Sequence, residues 1–263
     1  MIHKGVTAVK PIEEYYVPWV KPLKMYVSSH IDLAWKDPSL HRMMSKENPI
    51  APSPKVMEAI MKYGSIANRY PDQGLILRGK IAQMNGLEDP ENVVLANGSS
   101  EAFDMIYRTF LQPGDESIQH TPCFGIYKLG TEVLGGKLVS VPMIYKDKEI
   151  LFDADGILRA ITPKTKVIAI ANPNNPTGNF MDAKDFVRIG ETGIPFIVDE
   201  AYIEYAGLKM SQVGLTKKYK NVIVTRTFSK AYGLAGLRFG YLMADKSRCR
   251  SPRRCSLGTS ARL

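Results

Sequence analysis

Long apolar runs are missing from this 263-residue chain, and no stretch approaches the length needed to cross a bilayer. The segment Met1 to Lys10 has no apolar core of the kind a secretion signal carries, so export is not expected. Cysteine is scarce: three residues without paired spacing argue against a disulfide framework and a structural zinc site. No internal repeat is present. A cytoplasmic location fits these absences, with neither a membrane nor a metal as partner. Acidic residues are missing from one region. Residues 246–263 hold Lys246, Arg248, Arg250, Arg253, Arg254 and Arg262 with no Asp or Glu, which accounts for six of the net +9 and leaves +3 for the remainder. A basic tail attracts nucleic acid, but this one has no aromatic residue to stack on a base and no apolar period. Nucleic acid is therefore not an expected partner. The composition of 246–263 breaks so sharply from what precedes it that a disordered or non-native tail is expected.

What remains has the composition of an ordinary globular protein, 44% hydrophobic and 23% charged, with length enough for one large core or two modest ones. Residues 1–54 are irregular and hold seven prolines, which predicts an extended arm or cover and not a domain. From 55 to 245 a single domain is expected. Helical spacing covers Lys55–Lys62 and Leu75–Met84, with a loop at Asn68–Gly74 between them. Short apolar runs then alternate with helical patterns. Asn92–Ala96, Lys166–Ile170, Pro195–Val198 and Asn221–Val224 read as strands, Glu116–His120 and Lys137–Val141 as weaker ones, and Glu101–Leu111 as a helix. Runs apolar on both faces and alternating with helices predict a three-layer α/β domain with a mainly parallel sheet. Ligands in such folds sit beyond the carboxyl ends of the strands.

The chemistry gathers at four of those ends. The Asn221 run delivers Lys230 among small neighbours (Ala231, Gly233, Ala235, Gly236), with Arg238 eight positions on. Dehydration of a lysine disfavours its ammonium form and frees the amine as a nucleophile, while an arginine offers a phosphate a planar fork of donors. Amine plus phosphate clamp suggests a phosphorylated aldehyde cofactor, pyridoxal phosphate. Asn97-Gly98-Ser99-Ser100-Glu101 opens a helix and presents free backbone N–H groups to an anion, although a plain helix cap has the same composition. Ala171-Asn-Pro-Asn-Asn175-Pro-Thr-Gly178 is a rigid turn able to aim the Asn175 amide at a ligand oxygen. Asp199 ends a buried strand, a costly position for an acid unless it meets a cation such as a protonated pyridine nitrogen. Tyr202, three residues on, can share a ligand phenolate with Asn175. Phe124, in Pro122-Cys-Phe-Gly-Ile-Tyr127, is either a ring that stacks on a ligand or a core residue.

Each feature has an ordinary explanation alone; their order and company do not. Thr227-Phe-Ser-Lys-Ala-Tyr-Gly-Leu-Ala-Gly236, Asn174-Asn-Pro-Thr-Gly178 and Asp199-Glu-Ala-Tyr202 together resemble the fold-type I pyridoxal-phosphate aminotransferases, and within them the histidinol-phosphate aminotransferase group. The resemblance runs from about Ser45 to about Ala244. It implies that Lys230 forms a Schiff base with the cofactor and moves the proton from the substrate Cα. Asp199 would hold the pyridine nitrogen protonated, Asn175 and Tyr202 would bind the ring's 3′ oxygen, and Phe124 would stack on the ring. The phosphate would fall to Gly98, Ser99, Ser100, Thr227 or Ser229, and Arg238, with Tyr70 reaching it from the partner of a homodimer. The implied reaction is transamination, with histidinol phosphate as amino donor and 2-oxoglutarate as the 2-oxo acid acceptor. Another enzyme on the same scaffold, such as an aromatic aminotransferase or an amino-acid phosphate decarboxylase, is an alternative; so is a form that binds the cofactor and turns over poorly.

The chain departs from the family pattern in three places. Ser100 stands where an acid is usual, and Ala51 where a glycine often precedes Pro-Ser-Pro. The family's C-terminal small domain, with its carboxylate-binding arginine, has no counterpart in this sequence, so the domain is expected to be missing.

Overall fold

The structure, a computed structural model, describes residues 10–24 and 30–255, with side chains as far as Arg253. Expectations for residues 1–9, 25–29 and 256–263 lie outside the described residues. Among the described residues nine strands run in chain order as β1 (Val93–Ala96), β2 (Glu116–Thr121), β3 (Lys137–Pro142), β4 (Ile144–Lys146), β5 (Glu149–Leu151), β6 (Thr165–Ala171), β7 (Phe196–Asp199), β8 (Val222–Thr227) and β9 (Gly240–Ala244). Between them lie α1 (Ile31–Lys36), α2 (Pro54–Gly64), α3 (Leu75–Met84), α4 (Gly98–Phe110), α5 (Ile126–Glu132), α6 (Ala154–Arg159), α7 (Ala183–Gly190), α8 (Ile203–Ala206) and α9 (Leu215–Lys218), and α10 (Lys246–Cys255) follows β9.

Seven strands form one sheet in the order β1-β9-β8-β7-β6-β2-β3. Neighbours from β8 to β3 pair in parallel, while β9 runs antiparallel between β1 and β8. β4 and β5 pair as a separate antiparallel hairpin. The side-chain period of two divides each central strand between two cores. Val93, Leu95, Ile168, Ile170, Val222 and Val224 join Ile81 of α3 and Phe186 and Ile189 of α7 on one face. Val94, Ala96, Val167, Ala169 and Ile223 join Phe103, Ile106 and Tyr107 of α4 and Tyr127 of α5 on the other. The result is the three-layer, mainly parallel α/β domain that the double-sided apolar runs predict. Among the described residues no helix is long and apolar enough to cross a membrane.

The polar end of β8 is buried too. Arg226 and Glu200 form an ion pair at 2.9 Å with both side chains almost wholly buried. The guanidinium also donates to Asn85 Oδ1 and Ser211 Oγ, each at 2.7 Å, so the desolvated charges are fully hydrogen-bonded. Among the described residues before α2, regular structure is limited to α1 and one short 3-10 turn at Ile12–Tyr15. The arm is pinned where Trp19 Nε1 donates to Val133 O at 3.1 Å, with the indole lying on Gly135.

One expectation is corrected. Residues Lys246–Cys255 of the expected disordered tail form the helix α10. The basic composition hides two anchors: Cys249 is fully buried against the α4 side of the sheet, and Arg253 Nη2 donates to the carbonyls of Glu91 and Val93, both at 2.9 Å. Arg253 Nη1 also lies 2.6 Å from Glu91 Oε1. The charge that suggested a solvated tail is here spent on carbonyl groups left open beside β1.

Candidate active site

The carboxyl ends of β1, β2, β6, β7 and β8 open onto one cavity of about 680 Å³, within the size range of cofactor sites. Ser99 and Ser100 come from the first turn of α4, just after β1, Phe124 from the loop after β2, and Asn175 from the turn after β6. Asp199 ends β7 and Tyr202 follows it; Thr227 ends β8, followed by Ser229 and Lys230, and Arg238 closes the wall just before β9. The structure thus brings together ten of the twelve site residues expected from sequence. Gly98 stands directly behind the wall, where its missing side chain matters. Tyr70 does not join: it lies in the turn before α3, fully exposed.

The anion end is built on close approach. Gly98 has φ +76°, and a Cβ there would fall 2.4 Å from Arg238 Nη2, so the guanidinium rests on the first residue of α4. A Cβ on Gly240 would fall 2.6 Å from the Ser99 nitrogen. Arg238 is itself left-handed, at φ +51°. Its Nη1 donates to Ser229 Oγ at 3.3 Å and to Ala235 O at 3.1 Å. Thr227 Oγ1 donates to Ser229 Oγ at 2.9 Å. A helix N-terminus, two hydroxyls and a guanidinium therefore converge, which is a donor set suited to a phosphate.

The end of β7 brings to the same cavity an acid that forms no ion pair among the described residues. Asp199 is 4% exposed. Its Oδ2 accepts from the Tyr127 hydroxyl at 2.7 Å, and its Oδ1 from Thr225 Oγ1 at 3.1 Å and the Ala201 amide at 3.2 Å. Burial still outweighs these bonds and pushes the carboxyl up to about 6. Lys230 lines the same cavity. Its Nζ donates to Ser45 O at 2.7 Å and stands 5.6 Å from the centre of the Tyr202 ring. Burial first, then the Lys46 ammonium, holds its amine below the usual lysine value.

Sequence reasoning missed three contributors. Tyr127 and Thr225 hold the two oxygens of Asp199, yet Tyr127 reads only as part of an aromatic loop. Its position three residues after Phe124, on the first turn of α5, was the available signal. The arm supplies the third: Ser45 and Lys46, with φ of 57° and 52°, turn over the cavity and receive Lys230, while Asn48 Nδ2 donates to Ala231 O at 3.1 Å.

The same architecture occurs in a histidinol-phosphate aminotransferase of Sinorhizobium meliloti solved in complex with pyridoxal 5′-phosphate. The TM-score is 0.81 over 98% of this chain and 70% of that one, at 24% identity, and this places the fold with the large domain of the aminotransferases. Sequence carries the assignment to a family. The family model for aminotransferase class I and II matches residues 42–256, and the chain belongs to that family. It is 40% identical over 212 residues to histidinol-phosphate aminotransferase 1 of Idiomarina loihiensis, covering 78% of this chain and 56% of that protein. To the histidinol-phosphate aminotransferase of Methanocaldococcus jannaschii it is 37% identical over 235 residues, covering 86% of this chain and 63% of the relative. The chain therefore spans less than two thirds of the length of these curated relatives.

Proposed function

We propose that this chain binds pyridoxal 5′-phosphate at Lys230 and serves an amino-group transfer, with histidinol phosphate as donor and 2-oxoglutarate as acceptor. The observation that carries the cofactor is one cavity lined by a buried Asp199 that has no ion pair among the described residues, by Arg238 resting on Gly98, and by a dehydrated lysine. The residues present fit the group. Its phosphate matches the Ser99 and Ser100 backbone, Thr227, Ser229 and Arg238; its ring nitrogen is the cation Asp199 lacks. The names of the relatives support the donor.

When bound, pyridoxal phosphate supplies an electron sink for the charge left at the substrate Cα. The chain's own residues do the rest. Asp199, fixed by Tyr127 and Thr225, would hold the ring nitrogen in its protonated form. Asn175 and Tyr202 hold a phenolate oxygen by hydrogen bonds, and Phe124 closes one face of the cavity against water. Lys230 Nζ, whose amine burial and then Lys46 hold below the usual lysine value, would be the nucleophile toward the cofactor aldehyde and, once the substrate amine had displaced it, the base that takes the Cα proton. The partner in this reading is a second copy. All of α2 lies outside the core, and Met61, Tyr63, Ile66 and Tyr70 are exposed together. That apolar face is the surface through which Tyr70 would reach the phosphate cradle of its partner.

Borohydride reduction of the chain with pyridoxal phosphate, followed by peptide mass spectrometry, tests this. One reduced adduct per chain is expected, on the peptide carrying Lys230, and none in Lys230→Ala. An adduct of equal yield on other lysines, or one that persists in the variant, overturns the assignment.

A further inference from the structure

His120 sits at the carboxyl end of β2, 1% exposed, and nothing in the reading above uses it. Its Nε2 lies 2.8 Å from Asn174 Oδ1. The proton on this bond can be assigned from the other side of the amide. Asn174 Nδ2 faces Pro122 O at 3.1 Å and Thr177 Oγ1 at 2.7 Å. A carbonyl only accepts, so the nitrogen of the amide must point to Pro122 and its oxygen to the imidazole. His120 Nε2 is then the donor. Its Nδ1 is left as a buried acceptor without a partner, as the structure has it. Burial holds the imidazole down to about 4, so the ring is neutral and the tautomer fixed across the working range of most enzymes.

The donors run on in one direction. Thr177 Oγ1 donates to Asn179 Oδ1, and Asn179 Nδ2 donates to Ile150 O in the β4–β5 hairpin at 2.6 Å. The turn itself is closed by Gly178 N to Asn174 O at 2.8 Å and Asn174 N to Asn179 O at 3.0 Å. Asn174 therefore ties two loops to each other. One is Pro122–Phe124 after β2, and the other is the turn after β6. Close to those ties, Phe124 lines the cavity from the first loop, and Pro173 and Asn175, on either side of Asn174, line it from the second. From this geometry we infer that His120 is a positioning residue, whose single Nε2 proton orients Asn174 and so sets the Asn175 amide against the Phe124 ring across the cofactor cavity. His120 does not line the cavity; its ring meets Phe152 edge-on at 4.8 Å, and its hydrogen bond to Asn174 is the link to the cavity loops. The link between this latch and cofactor binding rests on the proposed function; the latch itself does not.

The test uses His120→Phe, which keeps the volume and removes the donor, and His120→Gln, which restores an N–H donor. Hydrogen exchange on the unloaded chain reads the latch. Faster exchange confined to residues 121–124 and 172–179 is expected in His120→Phe, with protection returning in His120→Gln. Titration with pyridoxal phosphate reads its consequence: affinity about tenfold lower in His120→Phe, the worth of one lost buried hydrogen bond, with a displaced visible maximum and recovery in His120→Gln. Unchanged exchange at 172–179 in His120→Phe overturns the inference. So does equal loss of protection across β6, β7 and β8 in both variants, which marks plain core damage, or a loosened turn with unaltered affinity and spectrum. A wild-type chain that binds no pyridoxal phosphate sinks the proposed function, and the exchange result still decides the latch.

Discussion

Asp199→Asn is expected to make the unloaded chain more stable and the loaded chain less so. In the native state without a facing cation, burial moves the carboxyl from the usual 3.8 to about 6. Between those pH values the native chain holds more protons at this site than the unfolded chain, so stability falls as pH rises through the window. Two pH units at 1.36 kcal/mol each make the full cost about 3 kcal/mol above pH 6. The asparagine carries no charge and escapes that cost, while its Oδ1 still accepts from Thr225 and the Ala201 amide. Other groups titrate in the same range, so the quantity to measure is the difference between the two chains. Urea unfolding at intervals from pH 4 to 8 should show the variant gaining on the wild type, from near zero at the acid end to about 3 kcal/mol at pH 8. Saturating pyridoxal phosphate should reverse the order, because a ring cation restores the aspartate and leaves the asparagine without a counter-charge. A variant that is less stable than wild type at pH 8 without cofactor, or a difference flat with pH, refutes the reasoning.

Two further outcomes follow from contacts already described. Gly98→Ala places a Cβ against Arg238 Nη2 at a left-handed φ of +76°; the guanidinium end can swing away, so the fold should lose only about 1 kcal/mol. Affinity for pyridoxal phosphate should fall about tenfold or more, since charge-assisted bonds to the phosphate are lost, and paired denaturation and titration curves separate the two effects. Arg253→Ala removes the donor shared by the Glu91 and Val93 carbonyls, and a loss of about 1–2 kcal/mol in urea is expected, with rapid amide exchange along α10. Wild-type stability in that variant would mean that the helix adds nothing to the domain.

Strands whose two faces are both buried were legible because β-branched runs such as Val222–Val224 have few other uses, and the residues at their ends were legible because polar groups placed there need a ligand or a partner. Short elements were not. The β4–β5 hairpin is two three-residue strands with most side chains exposed, too brief for a period of two to register. Helix α10 carries Pro252 and almost no apolar residue, and its order comes from Cys249 and Arg253 meeting groups far away in sequence. The same reason hid Tyr127, Thr225 and Ser45. Each matters through a bond to a residue 26 to 185 positions distant, and composition has no memory over that range. Tyr70 could be placed on no site within one chain.

The placement of β9 has a consequence for the order of synthesis. Of the seven strands of the large sheet it is the last in chain order, yet it stands second in the sheet, between β1, the first in chain order, and β8. Until residues 240–244 are available, β1 has no hydrogen-bonded neighbour and β8 presents an open edge, the kind of exposed template that recruits other chains. Contacts such as Val94 with Leu242 join positions nearly the whole domain apart, which makes closure a slow, late event. Gly240 packs on Gly98 and Ser99, so the anion cradle comes into being at that same moment. An anion with the right shape, present during synthesis, would bind only chains in which β9 has closed the sheet and draw them out of the population still open to aggregation.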